Sequence, residues 1–81
     1  MKNIILDKKK KLVVVNVNSI FYPKEHVEQA CKDYKEICST KISSSKKEIK
    51  ITLEPKKSVD INVLGLEFMN YLLSLSRVEG I

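Results

Sequence analysis

The apolar positions of this chain switch between a spacing of two and a spacing of three to four. Residues 12–18, LVVVNVN, are short and β-branched and predict a strand. Val13, Val15 and Val17 point one way and Leu12, Val14 and Asn16 the other. Both faces are thus partly apolar, as in a central or doubly covered strand. A shorter run, Asn3 to Leu6, is placed to pair with it across the lysines as a hairpin. The stretch FYPKEHVEQACKDYKEIC, residues 21–38, then changes period. Val27, Ala30, Cys31, Tyr34, Ile37 and Cys38 fall on one apolar helical stripe, and Pro23 suits the first helical position. Glu25 and Glu28 follow where the helix dipole favours acids.

The period returns to two in STKISSSKKEIKITLEP, residues 39–55, which reads as a hairpin. Ile49, Ile51 and Leu53 alternate with Lys50 and Thr52, and Pro55 stops the strand. Its partner, around Thr40 to Ser43, has Ile42 as its one strong apolar residue, and Ser43 to Lys47 supply the turn. A last helix runs from about residue 60 to 77, capped by Asp60 or Ser58, with Gly80 beyond its end. Ile61, Leu64, Phe68, Leu72 and Leu75 make its core stripe, and Glu67, Asn70, Ser74 and Arg77 a polar stripe. Leu66, Met69 and Leu73 fall on a third line. Either the core wraps further round the helix there, or the line faces a partner.

Strand, helix, strand, strand, helix with short connections predicts a two-layer α+β sandwich, βαββα. Its small, mainly antiparallel sheet carries both helices on one face. Residues 1–81 read as one domain, with 1–11 either flexible or a short extra strand. Such a chain buries only about 60–65% of its unfolded surface, so its core is thin and a partner can complete it.

Composition narrows the chemistry. Of fifteen basic residues fourteen are lysine, giving a net charge of +5. Arginine forks onto phosphates and guanine edges, and only Arg77 is available, so a nucleic-acid partner is disfavoured although the charge keeps it in view. Five aromatics, Phe21, Tyr22, Tyr34, Phe68 and Tyr71, fall mostly on core-facing positions rather than on a stacking platform. Two cysteines, Cys31 and Cys38, lack a metal-binding spacing. On one continuous helix they would stand about 10 Å apart, too far for a disulfide. They read as small buried hydrophobes. His26, at the start of a helix, reads as a partly exposed surface histidine, because a general base needs a placed partner that nothing here supplies. No catalytic, cofactor-binding or metal-ligating set is found, and the chain reads as non-enzymatic. No targeting signal is visible and no apolar run nears the roughly 18–20 residues that span a bilayer, so a cytoplasmic location without a membrane partner is expected.

Four segments together resemble a known family. FYP at the first helix, Ala30 followed by Tyr34 within it, ITLEP on the last strand and GLEFMNYLLSLSR on the last helix are similar to the His-Xaa-Ser system protein HxsD family. There a strand leads to a Tyr-Pro, a helix carries an Ala and an aromatic, a strand ends in Pro, and the final helix bears Glu-Phe-x-Asn-x-Leu-Leu. The matching positions are Tyr22, Pro23, Ala30, Tyr34, Leu53, Pro55, Gly65, Glu67, Phe68, Asn70, Leu72, Leu73 and Arg77, spanning about residues 12–77. The resemblance implies a small accessory protein encoded with radical SAM enzymes that mature ribosomally made peptides. It also implies a longer tail after Arg77 than this sequence carries, and it singles out Glu67 and Asn70. The expected contact surface is Leu66, Glu67, Met69, Asn70, Leu73 and Arg77, taking a protein or peptide partner such as a radical SAM maturase. A nonspecific nucleic-acid-binding domain and a structural homodimer are the alternatives.

Overall fold

The computed structural model describes residues 4–78. They form a two-layer α+β sandwich: β1 (Ile4–Asp7), β2 (Leu12–Asn18), α1 (Lys24–Asp33), β3 (Cys38–Ser44), β4 (Glu48–Pro55) and α2 (Ile61–Val78). The sheet order is β1-β2-β4-β3 and every neighbouring pair is antiparallel. The β2–α1–β3 segment is a split βαβ unit, with β4 inserted between its two strands. The short run before the lysines supplies the β1 edge, with Ile4 opposite Val15 and Leu6 opposite Val13.

One face of the sheet is apolar. Val13, Val15 and Val17 of β2 and Ile49, Ile51 and Leu53 of β4 are fully or almost fully buried under the helices. Phe68, Leu64, Met69 and Leu72 of α2 and Val27, Ala30 and Cys31 of α1 close the core from above. The side chain of Tyr34 meets Phe68 edge-on, with ring centroids 5.3 Å apart and planes at 79°. Gly65 lets α2 lie close to the sheet: a Cβ there would sit 3.1 Å from Ile4 Cγ2 and 3.2 Å from Val13 Cγ1.

Two expectations change. Helix α1 ends at Asp33, not at Cys38. Tyr34 closes it, and its carbonyl accepts from the amides of Ile37 and Cys38 in a tight turn. Cys38 then pairs with Pro55 as the first residue of β3, so the sheet claims it and Ile37 is left partly exposed. A further helical turn would remove the bond that the Lys56 amide donates to the Ile37 carbonyl at 2.8 Å and leave that amide without it. Phe21 also stays outside. Asn18 Oδ1 accepts from the Ile20 amide at 2.8 Å, which turns the loop outward and leaves Ile20 and Phe21 as two of the most exposed apolar side chains. Tyr22 alone of that pair of aromatics packs against the core.

Candidate interaction surface

Helix α2 is apolar on two opposite sides. The first side is the core stripe. The second points away from the sheet and carries Val63 (48% exposed), Leu66 (54%) and Leu73 (37%). With Asn70 and Arg77, these residues sit at i, i+3, i+7, i+10 and i+14. At about 100° per residue they fall within roughly 80° of arc, the spacing of a coiled-coil seam. A lone asparagine in such a seam specifies register, because its amide needs a partner. Asn70 and Glu67 are both exposed beside the seam's leucines. From Asp60 to Val78 the charged residues are Asp60, Glu67 and Arg77. In a chain of net charge +5, this helix, with one acid and one base, is thus its apolar and nearly neutral side.

The helix start is fixed by Asp60. Its Oδ1 accepts from the Asn62 amide at 2.9 Å and from the Asn62 side chain at 3.0 Å, and these bonds hold its carboxyl below the usual range. The cap selects Asp60 over Ser58. Immediately beside it lies a groove of about 380 Å³ lined by Tyr34, Ile37, Val59, Val63, Leu64 and Glu67, with Lys57 at its rim. It has the size of a pocket for one or two side chains.

At the same end the fold joins two lysine runs that lie far apart in sequence. The β1–β2 turn brings Lys8, Lys10 and Lys11 to the loop holding Lys57 and Ser58, around a cleft of about 510 Å³. Pro55, Val59, Ile61 and Asn62 line the rest, and Glu54 is its one carboxylate. Asp7 Oδ1 accepts from the Lys10 amide at 3.0 Å and shapes the turn. Lys11 has φ of 55°, a left-handed conformation that glycine or asparagine adopts at lower cost. Lys57 and Val59 line both the lysine cleft and the apolar groove, so the two adjoin.

Of the residues expected to form the contact surface, the structure brings Leu66, Glu67, Asn70 and Leu73 together on the outer side of α2. Met69 is only 7% exposed and belongs to the core, because its position turns back toward the sheet. Arg77 lies in the last turn of α2, and its side chain is outside the described residues. Spacing alone did not single out Val63 and Val59. The signal available was the run of 3–4 spacings leading from Val59 through Val63 and Leu66 to Leu73.

The remaining reactive groups lie on α1, on β3 and where α2 meets α1. Burial pushes both thiols up, with the Glu28 charge adding at Cys31 and the neighbouring Cys31 at Cys38; both cysteines are free. Tyr71 donates to Asp33, tying α2 to the end of α1, and this bond raises the phenol above its usual range. His26 is half-buried, with Nδ1 3.4 Å from the Ser76 hydroxyl. Among the described residues no cluster of three or more His, Cys, Asp or Glu is placed to hold a metal ion. Among them, too, no helix is long and apolar enough to cross a membrane. Comparison with family models, with curated proteins and with solved structures finds no match to this chain.

Proposed function

We propose that this chain is a non-enzymatic accessory domain that binds a helical segment of a protein or peptide partner along the outer side of α2. The observation that carries this reading is the seam of Val63, Leu66 and Leu73, exposed around Asn70 on a helix whose opposite side is already buried. A partner helix would lay its own apolar stripe on the seam, the recognition mode of helix-in-groove complexes. It would place one side chain in the groove beside Tyr34 and Val63 and offer a hydrogen-bonding group to Asn70. The resemblance of the α2 sequence to the HxsD family suggests where the partner comes from: a radical SAM peptide-maturation system, as the enzyme or its precursor peptide.

The test is site-specific photo-crosslinking. A benzoylphenylalanine replaces Leu66 in one variant and Lys41, on the uncovered face of the sheet, in another. Each is co-expressed with the proposed partners, a radical SAM peptide-maturation enzyme and its precursor peptide. An adduct to either protein from position 66 and not from position 41 is expected. Leu66→Ser with Leu73→Ser should reduce co-purification at least about tenfold without lowering the melting temperature by more than a few degrees, because both side chains are already partly in water. Undiminished co-purification of that double variant would sink the proposal.

A further inference from the structure

We infer that the lysine cleft at the start of α2 is a binding site for a carboxylate-rich peptide segment, one contiguous with the partner that occupies the outer side of the helix. The inference rests on that reading of α2 and adds the chemistry of one end of the partner. Four lysines, Lys8, Lys10, Lys11 and Lys57, face one glutamate, Glu54, around a concave space of about 510 Å³. Concentrating like charge in a concave site raises the local potential and draws in the opposite charge. The concentration is a product of folding, since Lys8–Lys11 and Lys57 are brought together by the pairing of β1 with β2 and β2 with β4. Lys11 takes the left-handed position that closes the β1–β2 turn and so sets the lysines of that turn beside the cleft.

Peptide carboxylates suit the cleft better than a phosphate chain. Its lining has no arginine to fork onto phosphates and no aromatic ring to stack on a base. Pro55, Val59 and Ile61 make part of the wall apolar, which favours a segment with apolar residues between its acids. The Glu54 carboxylate would repel a continuous polyanion but can be stepped over by spaced side chains. Lys57 and Val59 also line the apolar groove beside α2, and Asn62 links the cleft to the hollow between Leu66 and the β1 side chains Ile4 and Leu6. A chain lying on the α2 seam and running toward the helix start therefore meets the adjoining lysine cleft. There each carboxylate accepts hydrogen bonds from one or two ammonium groups.

The test uses a fluorescein-labelled peptide of about 12 residues built from Leu-Glu-Glu units, titrated by anisotropy at about 25 mM salt, where exposed charges are little screened. The parent chain should bind this probe and ignore a Leu-Lys-Lys counterpart. A cleft variant carrying Lys8→Gln, Lys10→Gln, Lys11→Gly and Lys57→Gln should bind about tenfold more weakly, the scale set by four exposed ion pairs. Its melting temperature should hold, because Lys11→Gly relieves the left-handed turn position. A control variant with Lys24→Gln, Lys41→Gln, Lys46→Gln and Lys50→Gln removes the same charge elsewhere and should change affinity less than about twofold. Equal loss in both variants would show unlocalised charge attraction and overturn the site. So would a probe that the parent chain does not bind. Tighter cleft-dependent binding of an oligothymidylate of similar length would assign the cleft to phosphate and overturn the carboxylate. If position 66 still crosslinks while the cleft variant binds the acidic probe like the parent, this inference falls and the α2 interface stands. If the probe binds through the cleft and no crosslink forms, the interface falls instead.

Discussion

Phe68→Ala tests the packing on which the rest of the fold depends. The Phe68 side chain is fully buried, belongs to one core cluster with Ile51, Leu53 and Leu72, and makes an edge contact with Tyr34 at 5.3 Å. Removing a fully buried phenyl ring costs about 3–5 kcal/mol, and the lost aromatic pair puts this site near 4 kcal/mol or above. A domain of 81 residues has a total stability of roughly 4–12 kcal/mol at the usual value per residue, so one substitution removes a third of it or more. The unfolding entropy near the midpoint is about 2.1 cal/mol/K per residue, or roughly 170 cal/mol/K for this chain. A loss of about 4 kcal/mol then lowers the melting temperature by roughly 24 °C. The assay is a thermal melt followed by far-UV circular dichroism, with Leu66→Ala on the outer side of the same helix as the internal control. Leu66 is 54% exposed, so its truncation should cost within about 0.5 kcal/mol, or roughly 3 °C. A Phe68→Ala chain that melts within about 5 °C of the parent, or a Leu66→Ala chain that loses as much as Phe68→Ala, would refute the orientation of α2. The proposed interface would then be the core.

Two further outcomes follow from the same helix. Gly65→Val should destabilise the fold by about 1–3 kcal/mol, because even a Cβ would stand 3.1 Å from Ile4 Cγ2 and two more methyls have no space; chemical denaturation checks the value. The Asp60 cap should give stability a pH dependence in the acid range. Its folded-state pKa is depressed below the unfolded value, so its contribution is present above the ordinary carboxylate pKa and is lost as pH falls through the lower, folded value. Melts of the parent and of Asp60→Asn, which keeps a capping oxygen but does not titrate, should converge as the pH drops below about 4. A difference between the two that stays constant from neutral to acid pH would remove the cap from the account.

The sequence by itself determined the layers. Period-two runs at 12–18 and 49–53 and a period near 3.6 at 61–75 identify strands and a helix whatever surrounds them, because side chains alternate across a strand and recur every third or fourth residue on a helix. A cap at Asp60 or Ser58 and the Phe68 stripe were legible for the same local reason, and the structure chose Asp60. Only the tertiary structure decided where the stripes stop. Residues 34–38 carry a helical apolar pattern, yet Cys38 joins β3: the Lys56 amide just beyond β4 donates to the Ile37 carbonyl, and Cys38 takes the register position opposite Pro55. Met69 and Leu66 share a line at helical spacing, yet one is core and the other is exposed, since the position of the sheet under Gly65 fixes how far burial reaches around α2. The lysine cleft was not legible at all. Lys8–Lys11 and Lys57 look like separate solvated runs until β1, β2 and β4 pair. Local periodicity encodes which face of each element is apolar. Which charges meet is set by strand order, and strand order comes from contacts between residues far apart in the chain.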